Sequence, residues 1–146
     1  MRPGCYTALI TPFTPDGEMD QQGLEQLIDF QISNGITGIL ATGTTGESPT
    51  LKWNEHEHVI KQVAELAKDK CMRIAGTGSN NTVEALDALA HAAEDGVDAV
   101  LMVDPYYNGP SSLEIRREYY EVAANEFPGM NIIPYIIPGR TGAQML

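Results

Sequence analysis

A hydroxyl-rich turn over residues 42–48 contains the residue types that best suit chemistry on a small molecule. It follows a short apolar run, 38–41, that is typical of a buried strand. Thr44 and Thr45 place two adjacent hydroxyls at the end of that strand, and two glycines allow a tight turn with its amides near a ligand. Because ligands of parallel α/β proteins bind at the carboxyl ends of strands, the turn predicts a site for a small carboxylate or carbonyl compound. A plain connector is the alternative, and the absence of a following Gly-Lys-Ser/Thr excludes a P-loop.

The charge of the chain limits the partners it can take. There are 9 Lys and Arg against 20 Asp and Glu, a formal net charge of -11. A nucleic-acid-binding surface is therefore not expected. An anionic substrate would be repelled at long range and would need a local cation. Arg140 is the candidate for that cation, and a solvated loop arginine is the alternative.

The elements that position these residues alternate between strand and helix patterns. The predicted strands cover residues 5–10, 39–41, 73–75, 99–103 and 131–136. The predicted helix N-caps are Asp20, Asn54, Asn81 and Ser111, the last three with a Glu at the capping-box position, namely Glu57, Glu84 and Glu114. On the third helix, the apolar residues expected to face the core are Val83, Leu86, Leu89, Ala90 and Ala93.

Strict alternation of this kind predicts an α/β fold with a parallel sheet and helices outside it. An open doubly wound sheet and a (β/α)8 barrel both fit the pattern. A full barrel needs about 250 residues, so four βα units and a fifth strand make either a complete small open-sheet domain or a little over half a barrel.

Other sequence features point to a cytoplasmic protein without a metal. Cys5 and Cys71 are far apart in strand-like contexts, which favours reduced, buried thiols over a disulfide. The N-terminus has no signal-peptide pattern, and no apolar run approaches membrane-spanning length. His56 and His58 lie two apart on a predicted helix and face opposite ways, so they cannot chelate one metal ion.

Four segments that follow successive predicted strands resemble one enzyme family. They are 8–13 (ALITPF), 43–47 (GTTGE), 106–110 (YYNGP) and 135–142 (YIIPGRTG). In this order and spacing they resemble the dihydrodipicolinate synthase family, within the class I aldolases that also include N-acetylneuraminate lyase. The GTTGE motif marks the superfamily, and the YYNxP turn with the RTG after the last strand narrows it to the synthases. The resemblance covers essentially the whole chain.

The resemblance implies a (β/α)8 (TIM) barrel, with residues 1–146 forming the N-terminal part of a single barrel domain: about the first four βα units plus the fifth strand. It implies condensation of pyruvate with aspartate semialdehyde to 4-hydroxy-tetrahydrodipicolinate, in the diaminopimelate route to lysine. A lysine forms a Schiff base with pyruvate in this chemistry, and no cofactor takes part. The family also implies a cytoplasmic homotetramer.

The resemblance assigns roles to five residues. Tyr135 would be the central phenol of a proton relay, bridged by Thr44 to Tyr107, which reaches the site from a neighbouring subunit. A phenol with a pKa of about 10 is a poor base alone, but a chain of hydroxyls moves a proton without isolating a phenolate. Thr45 would bind the pyruvate carboxylate, and Arg140 the carboxylate of the semialdehyde. Packing aromatics are the alternative for both tyrosines.

Many synthases of this family are inhibited by lysine at a subunit interface. The matching positions are Ser48, Trp53, His56, Asn80, Glu84 and Tyr106. An acidic side chain among hydroxyls and amides suits the ammonium groups of an amino acid. The alternative is that Asn80 and Glu84 only cap the third helix.

Two departures from the family qualify these expectations. Ile136 replaces the usual Asn after the relay tyrosine and is expected to point away from the barrel interior. The Schiff-base lysine of the family lies on the sixth strand, beyond Leu146, and the lysines present, Lys52, Lys61, Lys68 and Lys70, fall on no predicted strand. Two alternatives therefore stay open: a related pyruvate aldolase acting on a sugar acid, and a non-catalytic half-barrel that associates with copies of itself.

Overall fold

The computed structural model describes residues 1–146 as a five-stranded parallel sheet with helices along one face. The strands are β1 (Tyr6–Ala8), β2 (Gly38–Ala41), β3 (Met72–Gly76), β4 (Ala99–Val103) and β5 (Ile132–Tyr135). Their spatial order is the chain order, and each neighbouring pair is parallel. A doubly wound sheet requires the strand order to reverse. The unreversed order excludes that alternative and leaves the barrel type of winding.

The first four helices connect successive strands, and a short fifth helix follows β5. They are α1 (Gln21–Ser33), α2 (Trp53–Leu66), α3 (Thr82–Glu94), α4 and the short α5 (Pro138–Thr141), with a 3₁₀ turn at Ser48–Thr50. Helix α4 runs continuously through an α-helical start, Ser112–Ile115, a π-helical turn, Arg116–Tyr120, and an α-helical end, Glu121–Glu126. Because crossovers between parallel strands share one hand, an unreversed order puts these helices on one side of the sheet.

The two faces of the sheet differ in burial. Ile39, Val100 and Met102 point towards the helices and are fully buried. On the opposite, inner face, Leu40, Leu101 and Val103 are only partly buried. Strand β4 was predicted to be covered on both faces, and in residues 1–146 only its helix-side face is fully covered. The inner face is the surface that a closed barrel would enclose.

Two of the predicted helix starts are confirmed by their hydrogen bonds. At α1, Asp20 Oδ1 accepts from the Gly23 N–H at 2.9 Å. At α4 a complete capping box forms: Ser111 Oγ accepts from the Glu114 N–H at 3.3 Å, and Glu114 Oε2 accepts from the Ser111 N–H at 2.8 Å.

At the other two starts the predicted capping boxes do not form. The N-cap of helix α2 is Lys52, two residues before the predicted Asn54. Glu55 rather than Glu57 reaches back, accepting from the Lys52 N–H at 2.9 Å. At α3 the Asn81 cap is confirmed, with its Oδ1 accepting from Val83 N–H at 3.1 Å. Glu84 closes no capping box there, because its carboxylate is bonded to Ser79 instead.

The predicted core face of α3 was wrong in part. Val83 is 64% exposed. The buried residues are Ala85, Ala88, Leu89 and Ala92, at i, i+3, i+4 and i+7. Small side chains on that stripe let the helix lie close to its neighbours, which a search for the largest apolar residues does not detect.

The prediction that both cysteines are buried was correct only for Cys71. Cys71 is buried, and burial raises the pKa of its thiol. Cys5 is exposed, because β1 begins at Tyr6 and is shorter than predicted. Both thiols are free in the structure.

Candidate functional site

The turn after β2 is held in an unusual backbone conformation. The residues with left-handed φ are Thr42 at +50° and Glu47 at +59°, not the two glycines expected to supply the tight turn. A β-branched residue in this region costs free energy and has to be held by its surroundings. Thr42 is buried, and its hydroxyl donates to the Gly76 carbonyl at 3.0 Å. The backbone of Thr42, two residues before Thr44, is therefore strained.

The glycines of this region provide space rather than positive φ. A Cβ on Gly46 would lie 3.0 Å from the Leu9 carbonyl oxygen, and one on Gly76 would overlap the Thr42 carbonyl oxygen. Glycine thus lets neighbouring strand ends approach backbone to backbone.

A cavity of about 220 Å³ opens at the carboxyl ends of β2 to β5. It is lined from the β2–α2 turn, the start of α2, the β3–α3 loop and the ends of β4 and β5. Two of the predicted reaction residues line it, Thr44 and Tyr135. All six positions of the predicted lysine site line it as well: Ser48, Trp53, His56, Asn80, Glu84 and Tyr106. The structure thus brings residues from positions 44 to 135 of the chain together in one cavity.

The third relay residue does not join this cavity. Tyr107 is 89% exposed and has a left-handed φ of +77°. Among residues 1–146 the hydroxyls of Thr44, Tyr107 and Tyr135 form no hydrogen bonds with one another. Tyr107 therefore lies away from the cavity, and the relay stays a prediction.

The two predicted carboxylate-binding residues are exposed outside the cavity lining. Thr45 lies on the turn beside Thr44, and Arg140 lies on α5 with no ion-pair partner in the chain. Ile136 is exposed and also lies outside the cavity, whereas the preceding Tyr135 lines it. The guanidinium of Arg140 is therefore exposed and unpaired in the chain.

His56 is a deeply buried side chain of the cavity, at 3% exposure. Burial lowers its pKa to about 4, partly opposed by a hydrogen bond with the Gly76 backbone. Its Nδ1 has no partner in the chain, and its ring meets that of Trp53 edge-on at 5.4 Å between centroids. A neutral imidazole with one unpaired nitrogen can hydrogen-bond a polar ligand.

Glu84 supplies a carboxylate that no cation of the chain pairs with. Its Oε2 accepts from the Ser79 hydroxyl at 2.9 Å, and that hydroxyl accepts from the Asn81 N–H at 3.2 Å. The cap of α3 is Asn81. Glu84 therefore does not cap α3. Its carboxylate lies at the edge of the cavity.

Sequence reasoning missed three buried polar side chains around the site. The Tyr119 hydroxyl accepts from the Ser79 N–H at 3.0 Å and so supports the β3–α3 loop. The Tyr120 hydroxyl donates to Asp104 Oδ1, at 2.8 Å. Both tyrosines belong to the π-helical turn of α4. An aspartate directly after β4 was the available signal, because functional side chains gather at strand ends.

The structure contains no group of three or more His, Cys, Asp or Glu side chains placed to hold a metal ion. None of its helices combines the length and the apolar character that crossing a membrane requires.

Comparison with known proteins gives consistent matches along the chain. A curated 4-hydroxy-tetrahydrodipicolinate synthase from Syntrophus aciditrophicus is 48% identical over 143 residues, covering 98% of this chain and 48% of the relative. The solved synthase from Methylacidiphilum fumariolicum SolV is 42% identical with a TM-score of 0.95, covering 100% of this chain and 48% of that one. The fold is therefore that of half of a TIM-barrel synthase.

Another solved relative, the dihydrodipicolinate synthase from Cyanidioschyzon merolae with lysine bound, is 41% identical with a TM-score of 0.92, over 97% of this chain and 48% of that one. The chain spans about half the length of the curated relatives it matches. The sequence model of the Dihydrodipicolinate synthetase family matches residues 1–146. From the sheet order, the strand-end motifs and this match over its whole length, the chain belongs to the dihydrodipicolinate synthetase family.

Proposed function

We propose that the protein containing these residues is a 4-hydroxy-tetrahydrodipicolinate synthase that condenses pyruvate with aspartate semialdehyde. Residues 1–146 would supply the N-terminal part of one (β/α)8 barrel domain. The observation that carries the proposal is the whole-length family match together with Thr44 and Tyr135 lining one cavity at the strand ends. A barrel enzyme has its site at that end of the strands.

In the proposed reaction, a lysine outside residues 1–146 forms an imine with pyruvate and releases water. Loss of a methyl proton gives an enamine, whose carbon attacks the aldehyde carbonyl. Tyr135, Thr44 and a Tyr107 from a neighbouring subunit would pass the protons. None of the four lysines in this part lies on a strand, so none is placed like a barrel-strand nucleophile.

Different residues would bind the carboxylates of the two substrates. Thr45 would bind the carboxylate of pyruvate through its hydroxyl and amide. Arg140 would bind the carboxylate of the semialdehyde, since a guanidinium offers two parallel donors to a carboxylate. The absence of an intramolecular partner for Arg140 supports this role.

We infer that lysine binds in the cavity lined by Glu84, His56 and Trp53. The unpaired carboxylate suits an ammonium group, and the unpaired His56 Nδ1 suits a polar donor or acceptor of the ligand. A lysine-bound relative of the same fold supports this assignment. The exposed Tyr107 supports a homo-oligomer, a tetramer by analogy with the family, and the same analogy suggests a cytoplasmic, cofactor-free enzyme.

The test compares two aldehydes with the full-length protein. With pyruvate, aspartate semialdehyde should be consumed and a neutral sugar aldehyde should not, with product detected by mass spectrometry. Arg140→Ala should lower kcat/KM for the semialdehyde because its charged end loses the guanidinium. Preference for the sugar aldehyde would instead establish the sugar-acid aldolase, the second candidate.

A further inference from the structure

Asp104 is the only fully buried Asp or Glu of the chain, with 0% exposure. It comes directly after β4, at the end of the sheet that carries the cavity. No Lys, Arg or His lies within ion-pair distance of it. A buried carboxyl group has to be satisfied by hydrogen bonds, so its partners show what it holds in place.

Its two oxygens join segments that are distant in sequence. The Tyr120 hydroxyl donates to Oδ1 at 2.8 Å and also lies 2.9 Å from the Met102 carbonyl oxygen, a second acceptor at the end of β4. The Met145 N–H donates to Oδ2 at 3.2 Å. The Asp104 N–H donates to the Tyr135 carbonyl at 3.2 Å. Burial, together with the hydrogen bond to Asp104, raises the pKa of Tyr120. That phenol therefore keeps its proton and stays a donor.

The segments joined in this way carry two of the proposed reaction residues. Met145 lies on the stretch that follows Arg140, and this stretch is also fixed by the Leu146 N–H, which donates to Ser112 Oγ at 2.8 Å. Asp104 itself begins the loop that bears Tyr107. The carboxyl group thus lies between the segment of Arg140 and the loop of the relay tyrosine.

We propose that Asp104 and Tyr120 are positioning residues for the aldehyde substrate: they fix the segment of Arg140 against the end of β4. The inference rests on the proposed function, in which Arg140 binds the aldehyde carboxylate. The pyruvate side is separate, because Thr44 and Thr45 lie on the β2–α2 turn, to which neither Asp104 nor Tyr120 is hydrogen-bonded. Loss of the pair should therefore affect one substrate and spare the other.

Two variants test this in the full-length protein. Asp104→Asn keeps the size of the side chain, but its amide nitrogen cannot accept a hydrogen bond, so one of the two donors is left unpaired. Tyr120→Phe removes only the hydroxyl, and it provides the same test if Asp104→Asn folds poorly. In each, KM for aspartate semialdehyde should rise by about tenfold or more, since small misplacements of a binding group have large effects. KM for pyruvate should not change.

Tyr6→Phe is the matched control. It removes a phenol hydroxyl that donates to the Arg2 carbonyl at 2.6 Å, at the opposite end of the strands. Both KM values should stay at the wild-type level in this control. Equal rises in both KM values for the Asp104 and Tyr120 variants, or no rise in either, would overturn the proposal.

Amide hydrogen exchange over residues 142–146 gives a readout independent of activity. It should be faster in Tyr120→Phe than in Tyr6→Phe and wild type, because the Asp104 carboxyl group, which accepts from the Met145 N–H, loses the hydroxyl that holds it in place. Unchanged exchange would contradict the anchoring. If wild type consumes no semialdehyde but exchange still increases, the proposed function fails while the anchoring of this segment stands.

Discussion

At the scale of single residues, Tyr135 is the side chain on which the proposed proton relay depends. It lines the cavity together with Thr44, on the neighbouring turn. Tyr135→Phe in the full-length protein should lower kcat by roughly 10²–10⁴-fold, the usual contribution of one general acid–base group, with little effect on folding. Steady-state kinetics and the thermal midpoint measure the two effects. Turnover equal to that of Tyr6→Phe would remove Tyr135 from the mechanism.

His56 should make stability depend on pH. Its unfolded pKa is about 6.5, whereas burial lowers the folded value to about 4. At a pH between these two pKa values, the unfolded chain binds a proton that the folded protein does not. The stability contributed by the neutral His56 is therefore complete above about pH 6.5 and is lost as the pH falls towards about 4. The loss between pH 7 and pH 5 should be about 2 kcal/mol.

Urea unfolding at the two pH values measures this loss. His56→Gln should show a smaller pH-dependent decrease than wild type, and the matched control His58→Gln, on a less buried face of α2, should behave like wild type. An equal decrease in all three proteins would show that other groups cause the pH dependence.

At the scale of elements, local rules predicted where strands and helices lie better than which carboxylates cap them. Strand β4 and the caps at Asp20, Asn81 and Ser111 follow directly from the sequence. Glu57 and Glu84 occupy capping-box positions but bond elsewhere, Glu57 to His91 at 3.3 Å and Glu84 to Ser79. Partners outside the respective helix decided both cases, and spacing along one helix cannot reveal them.

The start of α3 allows capping to be separated from ligand binding. Asn81→Ala should destabilise the protein by about 1 kcal/mol through loss of the cap. Glu84→Gln should have little effect on stability but should abolish the heat of lysine binding, because the ammonium group loses its carboxylate. Asp87→Asn, an exposed acidic residue of the same helix outside the cavity, is the control. Absence of heat with millimolar lysine for wild type would contradict the lysine site.

At the scale of the whole molecule, the parallel winding was predictable from alternating periodicity, but choosing the barrel required the motifs at the strand ends. The π-helical turn and the buried Asp104–Tyr120 pair were not predictable, because they depend on contacts between distant segments.

Residues 1–146 produced alone should self-associate or be only marginally stable. The inner face of the sheet is incompletely covered, and β1 and β5 are edges with unpaired backbone groups. Sedimentation velocity should show oligomers, or urea should unfold the chain at a low midpoint. A stable monomer with a cooperative transition at high urea would contradict this expectation.

Borohydride trapping with pyruvate tests the central claim most directly, because reduction converts an imine into a permanent adduct. The full-length protein should gain one pyruvate-sized mass on a lysine beyond Leu146, and residues 1–146 alone should gain none. Lys61 lies on α2, Lys52 is its N-cap, and Lys68 and Lys70 lie in the turn that follows it, so none lies on a strand. A pyruvate adduct mapped to one of these four lysines, or no adduct on the full-length protein, would contradict the account.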